Sequence, residues 1–185
     1  METKEEMSLT LSKVLAKFPK DVLSTSSWRG DDCLVIRKEA LAAIATFLRD
    51  DPELDYNFLV DIGGVDYLTY PKPQPERFAV AYHFLSMNKK HRVRLKVYVG
   101  VAGEIDSLSS MWKTADWMER EVYDQYGITF KNHWNLERIL NHKDFVGHPL
   151  RKDYPIRKRQ VLTESDTLMD QMKRRLEVKG LTTGR

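Results

Sequence analysis

With 185 residues, 21.7 kDa, 42% apolar and 31% charged residues, the chain has the composition of one globular domain, or of one domain with an appended tail. A chain this long buries enough surface to fold without disulfides or a structural metal, and its longest nearly apolar runs, Ala40–Leu48 and Phe78–Leu85, are far below the ~20 residues of a membrane helix. The net charge of +3 is unevenly spread: residues 151–185 carry net +5 and the first 150 carry net −2. A basic end suggests an acidic partner, a nucleic acid, an anionic membrane surface or simply a solvated tail. The single cysteine, Cys33, excludes an internal disulfide and an iron–sulfur cluster held by this chain alone. The acidic start, Met1 to Glu6, has no apolar signal-peptide core, so the chain is expected in a reducing compartment.

In chain order, Leu11, Val14, Leu15 and Phe18 fall at helical spacing and predict a helix over 5–18 that Pro19 ends. A short strand, Cys33–Ile36, follows. An amphipathic helix over 38–48 would bury Leu41, Ile44, Ala45 and Leu48. Residues 58–65 read as a strand with a bend at Gly63-Gly64. Pro71, Pro73 and Pro75 make a stiff extended connection. Phe78, Val80, Tyr82 and Phe84 alternate, as do Val93, Leu95, Val97 and Val99. With the polar turn between them, they predict an antiparallel hairpin. Its second strand turns Arg92, Arg94, Lys96 and Tyr98 to the other face, for solvent or for a partner.

A late helix over 116–126 has Asp116 and Glu119 at capping-box spacing, an apolar stripe of Trp112, Ala115, Met118 and Val122, and Gly127 placed as a left-handed C-cap. Arg120 and Asp124 stand at i,i+4 and are expected to pair. Beyond it come aromatic, proline and basic residues without periodicity, then a helix over 164–178 with Leu168, Met172 and Leu176 on one side. The expected class is α+β: two layers, a largely antiparallel sheet with helices on one face, plus an extended C-terminal segment and a terminal helix. The expected division is a core domain over 1–130, an extended docking segment over 131–157 and a basic tail with a helix over 158–185.

Several clusters could carry chemistry. Glu119, Glu121 and Asp124 could serve acid–base work or merely solvate a helix. His133, His142 and His148 match no common metal-ligand spacing. Gly147 to Pro155 has too few glycines for a phosphate loop. It reads as a rigid loop presenting Arg151, Lys152 and Asp153, more important for docking than for folding. No nucleophile–base pair, dinucleotide fingerprint or Walker loop stands out. The residues alone favour a docking module over an enzyme.

Two blocks go further. Glu119-Arg120-Glu121-Val122-Tyr123-Asp124-Gln125-Tyr126-Gly127-Ile128-Thr129-Phe130, with His133 and Arg138-Ile139-Leu140, resembles the signature of the C subunit of proton-pumping NADH:quinone oxidoreductase, respiratory complex I. Gly147-His148-Pro149-Leu150-Arg151-Lys152-Asp153-Tyr154-Pro155 resembles its second signature. Val60-Asp61, Val65-Asp66-Tyr67 and the Arg77–Val99 hairpin fit in order and spacing. The resemblance covers about residues 30–157. Gln125 departs from it where an apolar residue is usual. Trp134-Asn135 and Glu137 replace the commoner proline, acid and base. The tail after Arg157 has no counterpart in the pattern.

The resemblance implies a non-catalytic subunit of the peripheral arm of an enzyme that passes electrons from NADH through FMN and iron–sulfur clusters to quinone and pumps protons. It implies that FMN, clusters and quinone belong to partner subunits and none to this chain. The partners would be the large quinone-site subunit (the D subunit) and neighbouring iron–sulfur subunits. Nucleic acid would not be a partner, and membrane association, on the cytoplasmic side of the bacterial plasma membrane, would run only through the complex. Glu119, Arg120, Glu121, Asp124, Gly127, His133, Gly147, His148, Pro149, Arg151, Lys152, Asp153 and Tyr154 become signature and interface candidates, none of them catalytic. The alternatives are the equivalent subunit of a related membrane-bound hydrogenase or ferredoxin-linked complex and, from another class, a nucleic-acid-binding module.

Overall fold

The computed structural model describes residues 8–162 and 164–179. The chain runs α1 (Leu9–Lys17), β1 (Val22–Trp28), β2 (Asp31–Ile36), a single 3-10 turn (Lys38–Ala40), α2 (Leu41–Asp50), β3 (Phe58–Asp66), β4 (Phe78–Ser86), β5 (His91–Val99), β6 (Glu104–Asp106), α3 (Lys113–Tyr126), β7 (Thr129–Lys131) and α4 (Glu164–Val178). The main sheet has five strands in the order β1-β2-β5-β4-β3, all antiparallel neighbours except the parallel pair β2–β5. β6 and β7 form a small parallel sheet of their own. The α+β class, the mostly antiparallel sheet and the helices match the sequence expectation.

Alternation builds the core. Phe78, Val80, Tyr82 and Phe84 of β4 and Val93, Leu95, Val97 and Val99 of β5 are all buried, facing Leu41, Ile44, Ala45 and Leu48 of α2. Residues one position away in β5, such as Arg92 and Arg94, remain exposed on the opposite face. Ser8 caps α1 by accepting from the Leu11 N–H, and Leu11 and Val14 pack inward. Residues 5–7 of the expected first helix lie outside the described residues.

One strand was not expected, and the start of one helix is corrected. β1 was not anticipated, because Val22-Leu23-Ser24-Thr25-Ser26-Ser27-Trp28 lacks the apolar alternation of a buried strand. It is an edge strand, exposed on both faces. α3 begins at Lys113, with Trp112 in the N-cap position and no side-chain cap. Asp116 therefore lies inside the first turn, and Glu119 is fully buried rather than closing a capping box. The expected boundary at 130/131 falls inside β7. α4 lies where its periodicity placed it, but most of its apolar residues stay exposed.

Candidate functional site: a strapped segment at the end of helix α3

An α-helix ends with carbonyls that lack intrahelical partners. At the end of α3, the segment over 138–152 supplies those partners. The His148 Nδ1–H donates to the Asp124 carbonyl (2.9 Å), the Leu150 N–H to the Gln125 carbonyl (3.1 Å) and the Arg151 Nε–H to the Tyr126 carbonyl (2.6 Å). The Arg151 guanidinium also lies 5.3 Å from the centre of the Phe78 ring. A cation there complements the negative end of the helix dipole. Gly127 adopts φ +72° as the left-handed C-cap, and its N–H donates to the Tyr123 carbonyl at 2.8 Å. A Cβ at Gly127 would come within 2.5 Å of both Arg151 and His148, so this position excludes a side chain twice over.

Asp124 is the hub. Its carboxylate is completely buried and accepts from Arg138 Nη1 (2.6 Å), from the backbone N–H groups of Ile139, Leu140 and Asn141 (3.2, 2.9 and 2.8 Å) and from Asn141 Nδ2 (3.0 Å). Burial pushes its pKa up, but the Asn141 donors, Arg138 and Leu140 more than offset that and hold it at about 2. Arg138 continues the strap by donating to the Gly147 carbonyl at 2.9 Å. The expected Arg120–Asp124 pair therefore does not form. Arg120 donates instead to the carbonyls of Glu137 (3.1 Å) and Arg138 (3.3 Å) and lies over Trp117.

A second anchor holds the far end. Asp66, at the end of β3, accepts from Arg77 through both oxygens (2.9 and 3.1 Å) and from the Lys152 N–H (2.8 Å). Arg77 reaches on to Asp153 at 2.7 and 3.0 Å. The loop is thus part of the fold, and Arg151, expected as a free docking contact, is committed within the protein. Tyr154 accepts from Gln160 Nε2 (2.8 Å) and its ring packs near Phe145. Pro149 is half-buried beside His148, whereas Glu121 and the Lys152 side chain are exposed, with no partner among the described residues.

Glu119 and His133 form a separate buried group along the first half of α3. Glu119 accepts from the Leu108 N–H (2.7 Å) and the Ser107 hydroxyl (2.6 Å). Burial pushes its pKa up to about 7, with Asp116 adding to the rise and the Ser107 and Leu108 donors opposing it. His133 accepts the Asn135 N–H on Nδ1 and donates from Nε2 to the Asp116 carbonyl at 3.1 Å. His133 and His148 therefore hang from carbonyls roughly 12 Å apart along the helix axis, too far to share a ligand.

Sequence reasoning missed Asp66, Arg77, Arg138 and Asn141 as site residues. The first two face each other only because β3 and β4 pair, a long-range fact without a local signal. Among the side chains the strapped segment leaves outward are several large apolar ones, Trp134 at 75% exposed, Val146 at 66% and Ile156 at 98%, with Leu140 and Leu150, beside the charged Glu137, Lys143 and Asp144.

These signature residues suggest a comparison with known families. Residues 34–160 match the family model described as respiratory-chain NADH dehydrogenase, 30 kDa subunit. This chain belongs to that family. The NADH-quinone oxidoreductase C subunit of Citrifermentans bemidjiense is 45% identical over 152 residues, covering 82% of this chain and 91% of the relative. Its namesake in Roseiflexus castenholzii is 44% identical over 147 residues, covering 79% and 82%. Among solved structures, the trypsin-resistant fragment (1–134) of Nqo5 superposes with a TM-score of 0.58 at 33% identity, covering 69% of this chain and all of the fragment. One polypeptide of an archaeal membrane-bound sulfane sulfur reductase complex shares the fold, with a TM-score of 0.65 at 15% identity over 94% of this chain and 92% of its own length.

Proposed function

We propose that this chain is a cofactor-free assembly subunit of the peripheral arm of proton-pumping NADH:quinone oxidoreductase, with no catalytic group of its own. Its strapped segment binds the large quinone-site subunit, and adjoining surfaces bind the iron–sulfur subunits. FMN, clusters and quinone reside in those partners. The protein sits on the cytoplasmic side of the bacterial plasma membrane and is held there by the complex. No helix among the described residues is long and apolar enough to cross a membrane.

The observation that carries this reading is a set of exposed large apolar side chains on a segment that buried charged groups hold in place. Asp124 on α3 and Arg138 and Arg151 of the segment turn inward and fix its backbone, and Trp134, Leu140, Val146 and Ile156 stand exposed on it beside the exposed Glu137, Lys143 and Lys152. Large apolar side chains on a segment immobilised beforehand lower the ordering cost of association. Family membership favours the NADH enzyme over a hydrogenase-type complex and over nucleic acid as the partner class.

The test is affinity purification of the full-length protein from native membranes, for wild type and Ile156→Asp. Wild type should bring down an NADH:quinone oxidoreductase, whereas the protein washed free of partners should be colourless. Ile156→Asp should change the melting temperature little, because a solvated side chain is usually worth within about ±0.5 kcal/mol, yet lower recovery of the complex. A flavin or cluster spectrum in the washed protein, or full recovery with Ile156→Asp, would refute the reading.

A further inference from the structure

The main sheet has two edge strands, and they are treated differently. The β3 edge is guarded. It carries Asp61 and Asp66 and an irregularity between Leu59 and Asp61, and α3 lies against it. Thr114 at the start of α3 donates to the Leu59 carbonyl (3.2 Å), and at the end of the helix the Tyr126 ring crowds Gly64 so closely that a Cβ there would fall 2.6 Å from it.

The β1 edge has none of these devices over its straight part. Its one irregularity lies between Val22 and Ser24, and Ser24 to Trp28 then pairs residue for residue with β2. No residue from Val22 to Trp28 is charged and none is proline. Lysine, proline and bulges are the usual protection of such edges. The turn into β2 is Arg29-Gly30, both at positive φ (54° and 85°), and it sets Trp28 opposite Asp31. In a two-residue hairpin the pair flanking the turn exchanges both hydrogen bonds. Trp28, Ser26 and Ser24 therefore spend their backbone groups on β2. Thr25 and Ser27 aim theirs away from the sheet, and among the described residues nothing bonds to them. Leu23 and Trp28, 54% and 74% exposed, stand at the two ends of this ladder.

We propose that β1 is a docking edge that receives an extended strand from another subunit of the complex, which hydrogen-bonds to Thr25 and Ser27 and sets an apolar side chain against Trp28. The inference rests on the assembly reading above. A strand is the occupant because only an extended backbone matches alternating outward N–H and C=O groups. The stretch from Ser24 to Trp28 spans roughly 17 Å. Two copies joined by that edge alone would bury well under the ~1,000 Å² of a stable interface, whereas a strand from a subunit held in the complex by other contacts as well need supply only part of its interface. The incoming strand carries no proline where it meets Thr25 and Ser27, and it is uncharged against the serine and threonine face.

Hydrogen exchange on the full-length protein, isolated and within the purified complex, reads this directly. The Thr25 and Ser27 amides should exchange freely in the isolated protein and be slowed by roughly two orders of magnitude in the complex. Thr25→Pro removes an N–H that bonds to nothing among the described residues. It should leave the melting temperature nearly unchanged and lower recovery of the complex about tenfold or more, while Thr25→Val should leave both unchanged. If Thr25→Pro disturbs the fold, Thr25→Lys keeps the N–H, sets a charge against the incoming strand and should give the same loss. Unprotected Thr25 and Ser27 amides within an intact complex would overturn the docking edge and leave the assembly reading standing. Protection already present in the isolated protein would overturn it in favour of a second copy or the protein's own residues. A wild-type protein that retains no NADH:quinone oxidoreductase would overturn both readings.

Discussion

Replacing Glu119 with glutamine should stabilise this protein at alkaline pH and leave it unchanged in acid. The carboxyl is fully buried on α3. Facing it are the Ser107 hydroxyl and Leu108 N–H from the loop after β6, Asp116 on its own helix, His133 beyond β7 and the Tyr82 hydroxyl of β4. The nearest group able to carry positive charge is His133, with Nε2 3.9 Å away and already donating to the Asp116 carbonyl. Burial raises the Glu119 pKa from the usual 4.5 to about 7. A raised acid pKa means that the folded state holds the proton more tightly than the unfolded state. Stability from this group is therefore greatest below 4.5 and falls as pH rises through 7. The full cost above pH 7 is roughly 3 kcal/mol, an upper value because the Ser107 and Leu108 donors remain with the ionised carboxylate. Glutamine reproduces the protonated acid: Oε1 accepts from Leu108 and Nε2 donates to the Ser107 hydroxyl. Thermal melts of both proteins at pH 5 and pH 8 should differ little at the lower pH. At the higher pH the variant should melt roughly 6–12 °C above wild type. Equal destabilisation at both values would show that the carboxylate is ionised and stabilising, and would refute the reasoning.

Asp124→Asn should have the opposite pH profile. The Asp124 pKa is depressed to about 2, so its contribution is complete above the unfolded value near 3.8 and is lost as pH falls through 2. At pH 7 the variant leaves Arg138 without its carboxylate and should lose about 3–5 kcal/mol, with tryptic cleavage at Arg138 and Lys143 appearing well below the global melt. Arg151→Glu removes the donor to the Tyr126 carbonyl and sets a negative charge at the helix end, at a cost of about 1–3 kcal/mol in the isolated protein. An unchanged melting temperature for Arg151→Glu would show that the strap over 147–152 does not close α3.

The sheet and helices were legible because each carries a period. β4 and β5 alternate over nine residues each, and α2 and α3 repeat their apolar stripes at helical spacing. β1 was illegible because an edge strand exposed on both faces has no apolar face to alternate. The one local clue was Arg29-Gly30 between two short polar runs, the composition of a tight hairpin turn. Glu119 was misread for a physical reason too. Three residues after Asp116 it has the spacing of a capping box, and only the position of β6 and its following loop makes it a buried acceptor. The positions of the signature residues were legible but their roles were not. Asp124 and Arg120 share a helix face and would pair in isolation. Arg138, brought from the segment beyond β7, displaces that pairing by offering a guanidinium together with three backbone N–H groups from the residues after it.

The same residues show how a charged signature can fix a segment that exposes apolar side chains. A carboxylate such as Asp124 costs several kcal/mol to bury unless every lone pair finds a donor. Five donors from 138–141 answer that demand, and answering it fixes the path of a segment with no helix or strand of its own. Asp66 does the same through Arg77 and the Lys152 N–H. With both anchors made, Leu140, Val146 and Ile156 stand exposed on the segment so fixed. The polar groups thus set the shape, and the exposed apolar side chains are what the assembly reading proposed above offers to a partner. Losing an anchor should therefore weaken assembly through disorder of the segment, whereas losing an outward side chain should weaken it with the fold intact.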